Sequence, residues 1–180
     1  MNDFEQRYRA LSRQLHPDYF YNASAAERRA SLEKSSLVND AYRTLRNPIS
    51  RLEHLLEVEG MTPNGAAAAD GPAVPPALLE EVFALNEELG EVRELRASGA
   101  AADEWRPRLE RARGPIDAKR AEHEAELAAL SARWDAALDA RGGDAERREL
   151  LTALRERFLE RNYINNLIAS IERELSDEQP

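Results

Sequence analysis

Apolar residues near the start of the chain recur at the three- and four-residue spacing of an amphipathic helix. The stripe consists of Phe4, Tyr8, Leu11 and Leu15. It predicts a helix that ends at His16, because Pro17 disfavours helical geometry in the residue before it.

Two further stripes follow after a polar stretch. The second stripe consists of Leu37, Val38, Ala41, Tyr42 and Leu45, and the third of Ile49, Leu52, Leu55 and Leu56. Asn47-Pro48 separates the two stripes. Proline is favoured in the first turn of a helix, which suits Pro48, and glycine is favoured just beyond the last turn, which suits Gly60. We therefore expect a helical hairpin and then a short third helix that ends at Gly60.

The second half of the chain predicts three long helices. The first carries Leu78, Val82, Leu85, Leu89 and Val92 and ends at Ser98-Gly99. The second carries Trp105, Leu109, Ala112, Ile116, His123, Leu127, Leu130 and Trp134. The third follows Gly142-Gly143 and carries Leu150, Leu154, Ile164, Ile168, Ile171 and Leu175. Three such helices form an antiparallel three-helix bundle or coiled coil.

Gly114-Pro115 interrupts the second of these helices. A proline inside a helix costs about 3 kcal/mol and kinks it. The apolar phase continues across the proline, which favours one kinked helix over two coaxial pieces.

A linker joins the two halves. Residues 60–76 contain three of the eight glycines and four of the nine prolines. We therefore divide the chain into a module at 1–59, a linker at 60–76 and a bundle at 77–180. The charge divides in the same way, because the net charge of −9 arises entirely from residues 61–180.

Composition narrows the fold and function classes. Alanine accounts for 30 of the 180 residues and valine with isoleucine for only ten, which favours an all-α fold. The absence of cysteine excludes disulfides, thiolate catalysis and Cys-ligated iron–sulfur clusters on this chain. The net charge of −9 disfavours a nucleic-acid-binding protein, because the phosphate backbone is itself negatively charged. Without a signal sequence or a long apolar run, we expect no membrane attachment and a cytoplasmic protein.

His16-Pro17-Asp18 lies between two predicted amphipathic helices. The tripeptide alone is typical of an ordinary helix end, in which the proline stops the helix and the aspartate caps a turn. Its setting favours a further role in binding, because Arg7, Arg9 and Arg13 lie on the helix that leads into it. A rigid loop beside a cationic helix suits docking onto an acidic protein surface.

With this loop the sequence resembles the J domain, and longer segments resemble the HscB co-chaperones of iron–sulfur cluster assembly. The matching segments are Arg13-Gln-Leu-His-Pro-Asp-Tyr-Phe20, residues 37–56 (Leu-Val-Asn-Asp-Ala-Tyr-Arg-Thr-Leu-Arg-Asn-Pro-Ile-Ser-Arg-Leu-Glu-His-Leu-Leu) and Leu78-Leu-Glu-Glu-Val-Phe-Ala-Leu-Asn-Glu-Glu-Leu89. The resemblance covers nearly the whole chain, and the segment 37–56 is far more specific than the tripeptide.

The resemblance implies a co-chaperone that is not an enzyme and holds no cofactor. It implies docking on a DnaK/HscA-type chaperone ATPase through His16, Pro17, Asp18, Arg7 and Arg13, and stimulation of ATP hydrolysis there. The bundle is expected to bind an IscU-type cluster scaffold and to present it to the chaperone, which assists the maturation of iron–sulfur proteins.

The chain departs from the family pattern in three places. Family members begin with a further helix, and its apparent absence here predicts either a start at an internal methionine or a hairpin without that cover. Tyr19 follows the tripeptide where the family usually has a basic residue. Glu80 and Ala84 stand where the family often has methionine and an acid, so we carry over neither contact.

The first bundle helix carries a second apolar feature. At about 100° per residue, Leu79 and Phe83 fall about 100–140° from the core stripe. Glu87 and Glu94 border this pair, and Glu91 lies further round the helix. An apolar pair with an acidic rim suits a partner groove with basic neighbours, so we predict a scaffold-binding surface. The alternative is that the pair packs against the first half or the third bundle helix.

Other candidates carry less weight. Tyr163 leaves the main stripe of the last helix and aligns with an aromatic scaffold contact of the family. His54 is expected at the surface and His123 in the core, and we predict no metal site. Two alternatives to the cluster-assembly function stay open: a J-domain co-chaperone for another client, and a structural coiled-coil adaptor in which His16-Pro17-Asp18 is only a helix end.

Overall fold

The structure, a computed structural model, describes residues 3–61 and 74–176. Its helices are α1 (Asp3–Gln14), α2 (Ala25–Arg46), α3 (Pro48–Val58), α4 (Leu79–Ala97), α5 (Ala102–Asp139) and α6 (Asp144–Ser176). Two short 3-10 turns lie at Pro17–Phe20 and Pro76–Leu78. Within the described ranges every regular element is helical, and the all-α prediction is confirmed.

The chain forms two compact units, residues 1–58 and 59–180. Most of the predicted linker lies outside the described residues. Its last residue, Pro76, starts the 3-10 turn that leads into α4. Leu78 at the end of that turn is 1% exposed, and Val74 before it packs on the core of the second unit.

Aromatic rings join the hairpin of the first unit. The ring of Tyr42 on α2 stacks on Tyr8 at 3.8 Å and on Phe4 at 5.3 Å between centroids. The hydroxyl of Tyr8 also donates to Asn39 Oδ1 at 2.9 Å. The predicted hairpin of two amphipathic helices is therefore present, with a polar bond beside its stacked rings.

Helix α2 begins earlier than the apolar stripe predicts. The stripe begins at Leu37 after a polar stretch, but the helix starts within that stretch, at Ala25 behind an N-cap at Ser24. The backbone N–H of Ser24 donates to Glu27 Oε2 and the backbone N–H of Glu27 donates to Ser24 Oγ, which is a capping box. The Ser24 bonds lower the pKa of the Glu27 carboxyl.

Three leucines of the predicted stripes are exposed rather than packed. Leu37 is 69% exposed, Leu11 44% and Leu45 37%. The hairpin closes through the side of α2 that carries Tyr42, Asn39 and Ser31, and Leu37 lies at least about 120° round the helix from these residues. Ser31 is buried, and its hydroxyl donates to the carbonyl of Leu15 at 2.9 Å.

The core of the second unit comes from α4, α5 and α6, as the pattern predicts. It contains Leu78, Val82, Leu85, Leu89, Val92, Trp105, Leu109, Ile116, Ile164, Ile168 and Ile171. Helix α5 runs unbroken through Pro107 and Pro115. The prediction of one helix is therefore confirmed over the alternative of two coaxial pieces.

Candidate partner-binding sites

His16-Pro17-Asp18 forms an exposed corner between α1 and the first 3-10 turn. Pro17 occupies the first position of the turn, where its fixed φ fits and its missing N–H costs nothing. His16 caps the turn, with Nδ1 accepting a hydrogen bond from the backbone N–H of Asp18 at 3.3 Å. The side chains of His16 and Asp18 are 52% and 86% exposed, so both are accessible to a partner.

Only one of the two predicted docking arginines lies at this corner. Arg13 lines a shallow depression together with Ser12, His16, Asp18 and Tyr19. Arg7 lies six residues earlier, about 9 Å along the helix axis, and pairs with Asp3 at 3.0 Å. The structure therefore joins Arg13 to the loop and leaves Arg7 on a separate part of α1.

Tyr19 belongs to the corner, although in the sequence it stands out only as a departure from the family pattern. It is 74% exposed, and its ring meets the His16 ring edge-on at 6.3 Å. This corner presents an imidazole, a carboxylate, a guanidinium and a phenol on a short backbone segment fixed by a proline. Such groups can form hydrogen bonds and ion pairs with another protein.

Leu79 and Phe83 lie on the exposed side of α4. Leu79 is 42% exposed and Phe83 is 72% exposed, whereas the stripe residues on the opposite side of the helix are buried. Neither side chain is part of the core of the second unit. A phenyl ring this exposed on a helix is an available apolar contact for another molecule.

The two predicted acids differ in their surroundings. Glu87 is exposed on the same side of α4 as Phe83. Glu91 is paired with Arg108 of α5, which also binds Glu88 at 3.0 Å. The hydrogen bonds that Arg108 donates, first to Glu88 and then to Glu91, raise the pKa of its guanidinium. Glu91, which the sequence predicts as a scaffold-binding residue, therefore already has a basic partner within the chain.

Tyr163 is partly buried rather than freely exposed. It packs against the shared core of α4, α5 and α6. Any contact that it makes with a partner would use only the exposed part of its ring.

The two other histidines are placed as the pattern predicts. His54 is half exposed beside Glu57, with 3.6 Å between Nδ1 and Oε2. His123 is 1% exposed, and its Nδ1 lies 3.3 Å from Glu160 Oε2 on α6, without hydrogen-bond geometry. In residues 3–61 and 74–176, no three His, Cys, Asp or Glu side chains are arranged to hold a metal ion. No helix of those ranges is long and apolar enough to cross a membrane.

Comparison with known proteins found relatives that are named as HscB homologues. A co-chaperone HscB homologue of Neisseria meningitidis is 43% identical over 91 residues, which is 51% of this chain and 53% of that protein. A co-chaperone HscB homologue of Shewanella halifaxensis is 50% identical over 56 residues, 31% of this chain and 32% of that protein. The chain thus spans about half the length, or less, of these curated relatives. No family model matches it.

Two solved structures have a similar fold. Chaperone HscB from Vibrio cholerae has a TM-score of 0.58 at 26% identity, with 96% of this chain and 89% of that chain covered. The crystal structure of human co-chaperone HscB has a TM-score of 0.58 at 24% identity, with 98% and 76% covered. The likeness to the human protein concerns the fold alone.

Proposed function

Since this chain is HscB-like in both sequence and fold, we propose that it is a co-chaperone of iron–sulfur cluster assembly. It docks on a DnaK/HscA-type chaperone, stimulates ATP hydrolysis there and delivers an IscU-type scaffold protein. The single observation that carries the proposal is the exposed His16-Pro17-Asp18 corner, with Arg13 beside it, in a chain of this likeness.

Docking on the ATPase uses the corner as a preformed contact. Pro17 and the His16 cap hold the backbone before the partner arrives, so little conformational entropy is lost on binding. His16 and Asp18 make polar contacts with the chaperone. Arg13 and, further along α1, Arg7 attract an acidic surface, and this attraction weakens as salt is added.

Scaffold binding uses the exposed side of α4. Leu79 and Phe83 enter an apolar groove of the scaffold, and Glu87 meets a basic residue at its edge. Tyr163 contributes through the exposed part of its ring, and Glu91 contributes only when Arg108 releases it. By holding the scaffold and the chaperone together, the protein raises the effective concentration of one at the other.

His16→Gln tests the docking part of the proposal. The amide side chain is polar but differs in shape and hydrogen-bonding groups, so stimulation of the chaperone ATPase should fall to near the basal rate in a single-turnover assay. His54→Gln is the matched control, because the His54 side chain has the same exposure, 52%, on α3 of the same unit. Undiminished stimulation by His16→Gln would exclude this corner as the docking site.

The same assay separates the alternatives. A J-domain co-chaperone for another client would stimulate the ATPase but would not bind the purified scaffold. A structural coiled-coil adaptor would do neither. The proposal requires both activities in the full chain.

A further inference from the structure

Arg108 joins α4 to α5 at the border of the proposed scaffold surface. Its Nε lies 3.0 Å from Glu88 Oε2, and another of its nitrogens pairs with Glu91. The three side chains are only 28%, 35% and 48% exposed. One guanidinium thus holds two carboxylates three residues apart on the neighbouring helix, in charge-assisted bonds that are partly shielded from water.

Glu91 is also close to the side of α4 on which a partner would bind. At about 100° per residue, Glu87 lies about 40° from Phe83 around the helix, and Glu91 lies about 40° further towards α5. A basic residue of a partner that reaches past Glu87 therefore meets Glu91 next, and there it meets Arg108 as a competitor.

We propose that Arg108 is a specificity-determining residue that withholds Glu91 from a basic partner. This inference rests on the proposed scaffold binding. In the free protein the Arg108 charge weakens the acidic field beside Phe83, which slows association with basic surfaces in general. A partner forms an ion pair with Glu91 only if its own basic side chain lies where it can displace Arg108. The Arg108–Glu91 pair therefore selects partners by the position of their basic residue as well as by its charge.

The test is the association rate of the full chain with a purified IscU-type scaffold, measured by stopped flow. Arg108→Met keeps the aliphatic stem, which lines an open groove with Ala84, Leu85 and Ile116, and removes the charge. The matched control is Arg133→Met, which removes the same charge from an exposed position of α5 that does not line this groove. We expect Arg108→Met to associate about threefold faster than the control at low salt.

Two further measurements fix the cause. The faster association of Arg108→Met should disappear in Arg108→Met/Glu91→Gln, because it comes from the released Glu91 carboxylate. It should also become smaller at high salt, because salt screens that charge. Equal rates for the two methionine variants, or a gain that survives Glu91→Gln, would overturn the inference while leaving a wild-type complex, and with it the proposed function, intact. Absence of any wild-type complex would instead overturn both.

A second pair of variants decides the matter if Arg108→Met loses helicity. Glu88→Gln leaves Arg108 to Glu91 alone, and Glu81→Gln removes the same charge from another position that lines the groove. Arg108 should then hold Glu91 more tightly in Glu88→Gln, so this variant should associate with the scaffold more slowly than Glu81→Gln. Equal or faster association would contradict the proposed competition.

Discussion

In the proposed complex, Leu79 and Phe83 are the two residues of α4 that contribute most to scaffold binding. Each apolar anchor that becomes buried contributes about 1.5–3 kcal/mol. Leu79→Ala/Phe83→Ala should therefore raise the scaffold dissociation constant by at least about tenfold. Isothermal titration calorimetry measures this directly.

The control for this double variant is Leu138→Ala. Leu138 is another exposed leucine of the second unit, 45% exposed near the end of α5. It should leave scaffold affinity unchanged. A large fall in the thermal midpoint of Leu79→Ala/Phe83→Ala, with affinity unaltered, would mean that these side chains stabilise the fold and do not bind the scaffold.

At the residue scale, helical phase alone placed Leu79 and Phe83 away from the core stripe, because the angle between positions on one helix follows from their spacing. The pairing of Glu91 with Arg108 could not be predicted in this way. It depends on the axial register of α5 against α4 and on which flank of the α5 stripe borders α4, and the stripe encodes neither.

At the scale of the helix ends, α4 and α5 finish with the same hydrogen-bond pattern but different residues. Gly99 has φ of 84° and Arg141 has φ of 52°. In each case the next residue's N–H bonds to a carbonyl five residues back, from Ala100 to Leu95 and from Gly142 to Ala137. These are Schellman motifs, and glycine is favoured at their left-handed position.

This difference predicts opposite effects on stability. Arg141→Gly should raise the free energy of unfolding by up to about 1 kcal/mol, because glycine has no Cβ to strain the left-handed backbone. Gly99→Ala should lower it by about 1 kcal/mol. No heavy atom outside its immediate neighbours lies within 4 Å of a Cβ built at Gly99, so the cost there is conformational and not steric.

Urea denaturation followed by circular dichroism measures both variants. The account expects the midpoint to rise for Arg141→Gly and to fall for Gly99→Ala. A fall for both would show that the Arg141 side chain contributes more to the folded state than its backbone strain removes.

The helices themselves were predicted unequally well. Helix α5 was predictable across Pro115 because Ala112, Ile116 and His123 keep one phase. The apolar pattern does not predict the first half of α2, because Leu32 on it is 57% exposed and belongs to no stripe. The available signal was the capping-box spacing of Ser24 and Glu27, which marks a helix start without any apolar pattern.

At the scale of the whole molecule, the two units differ in charge as well as in architecture. The net charge of −9 lies in residues 61–180, while residues 1–60 are neutral in sum and carry three arginines on α1. Two surfaces of different character on one chain suit two different partners. The proposed function needs them to act together, because delivery requires one molecule to hold scaffold and chaperone at the same time.

The most direct test is therefore the ATPase rate of the chaperone with the scaffold alone, with this protein alone and with both. The account predicts that the rate with both exceeds the sum of the two separate stimulations, and that Leu79→Ala/Phe83→Ala removes the excess while keeping the stimulation by the protein alone. A purely additive rate at saturating concentrations of both would contradict the account.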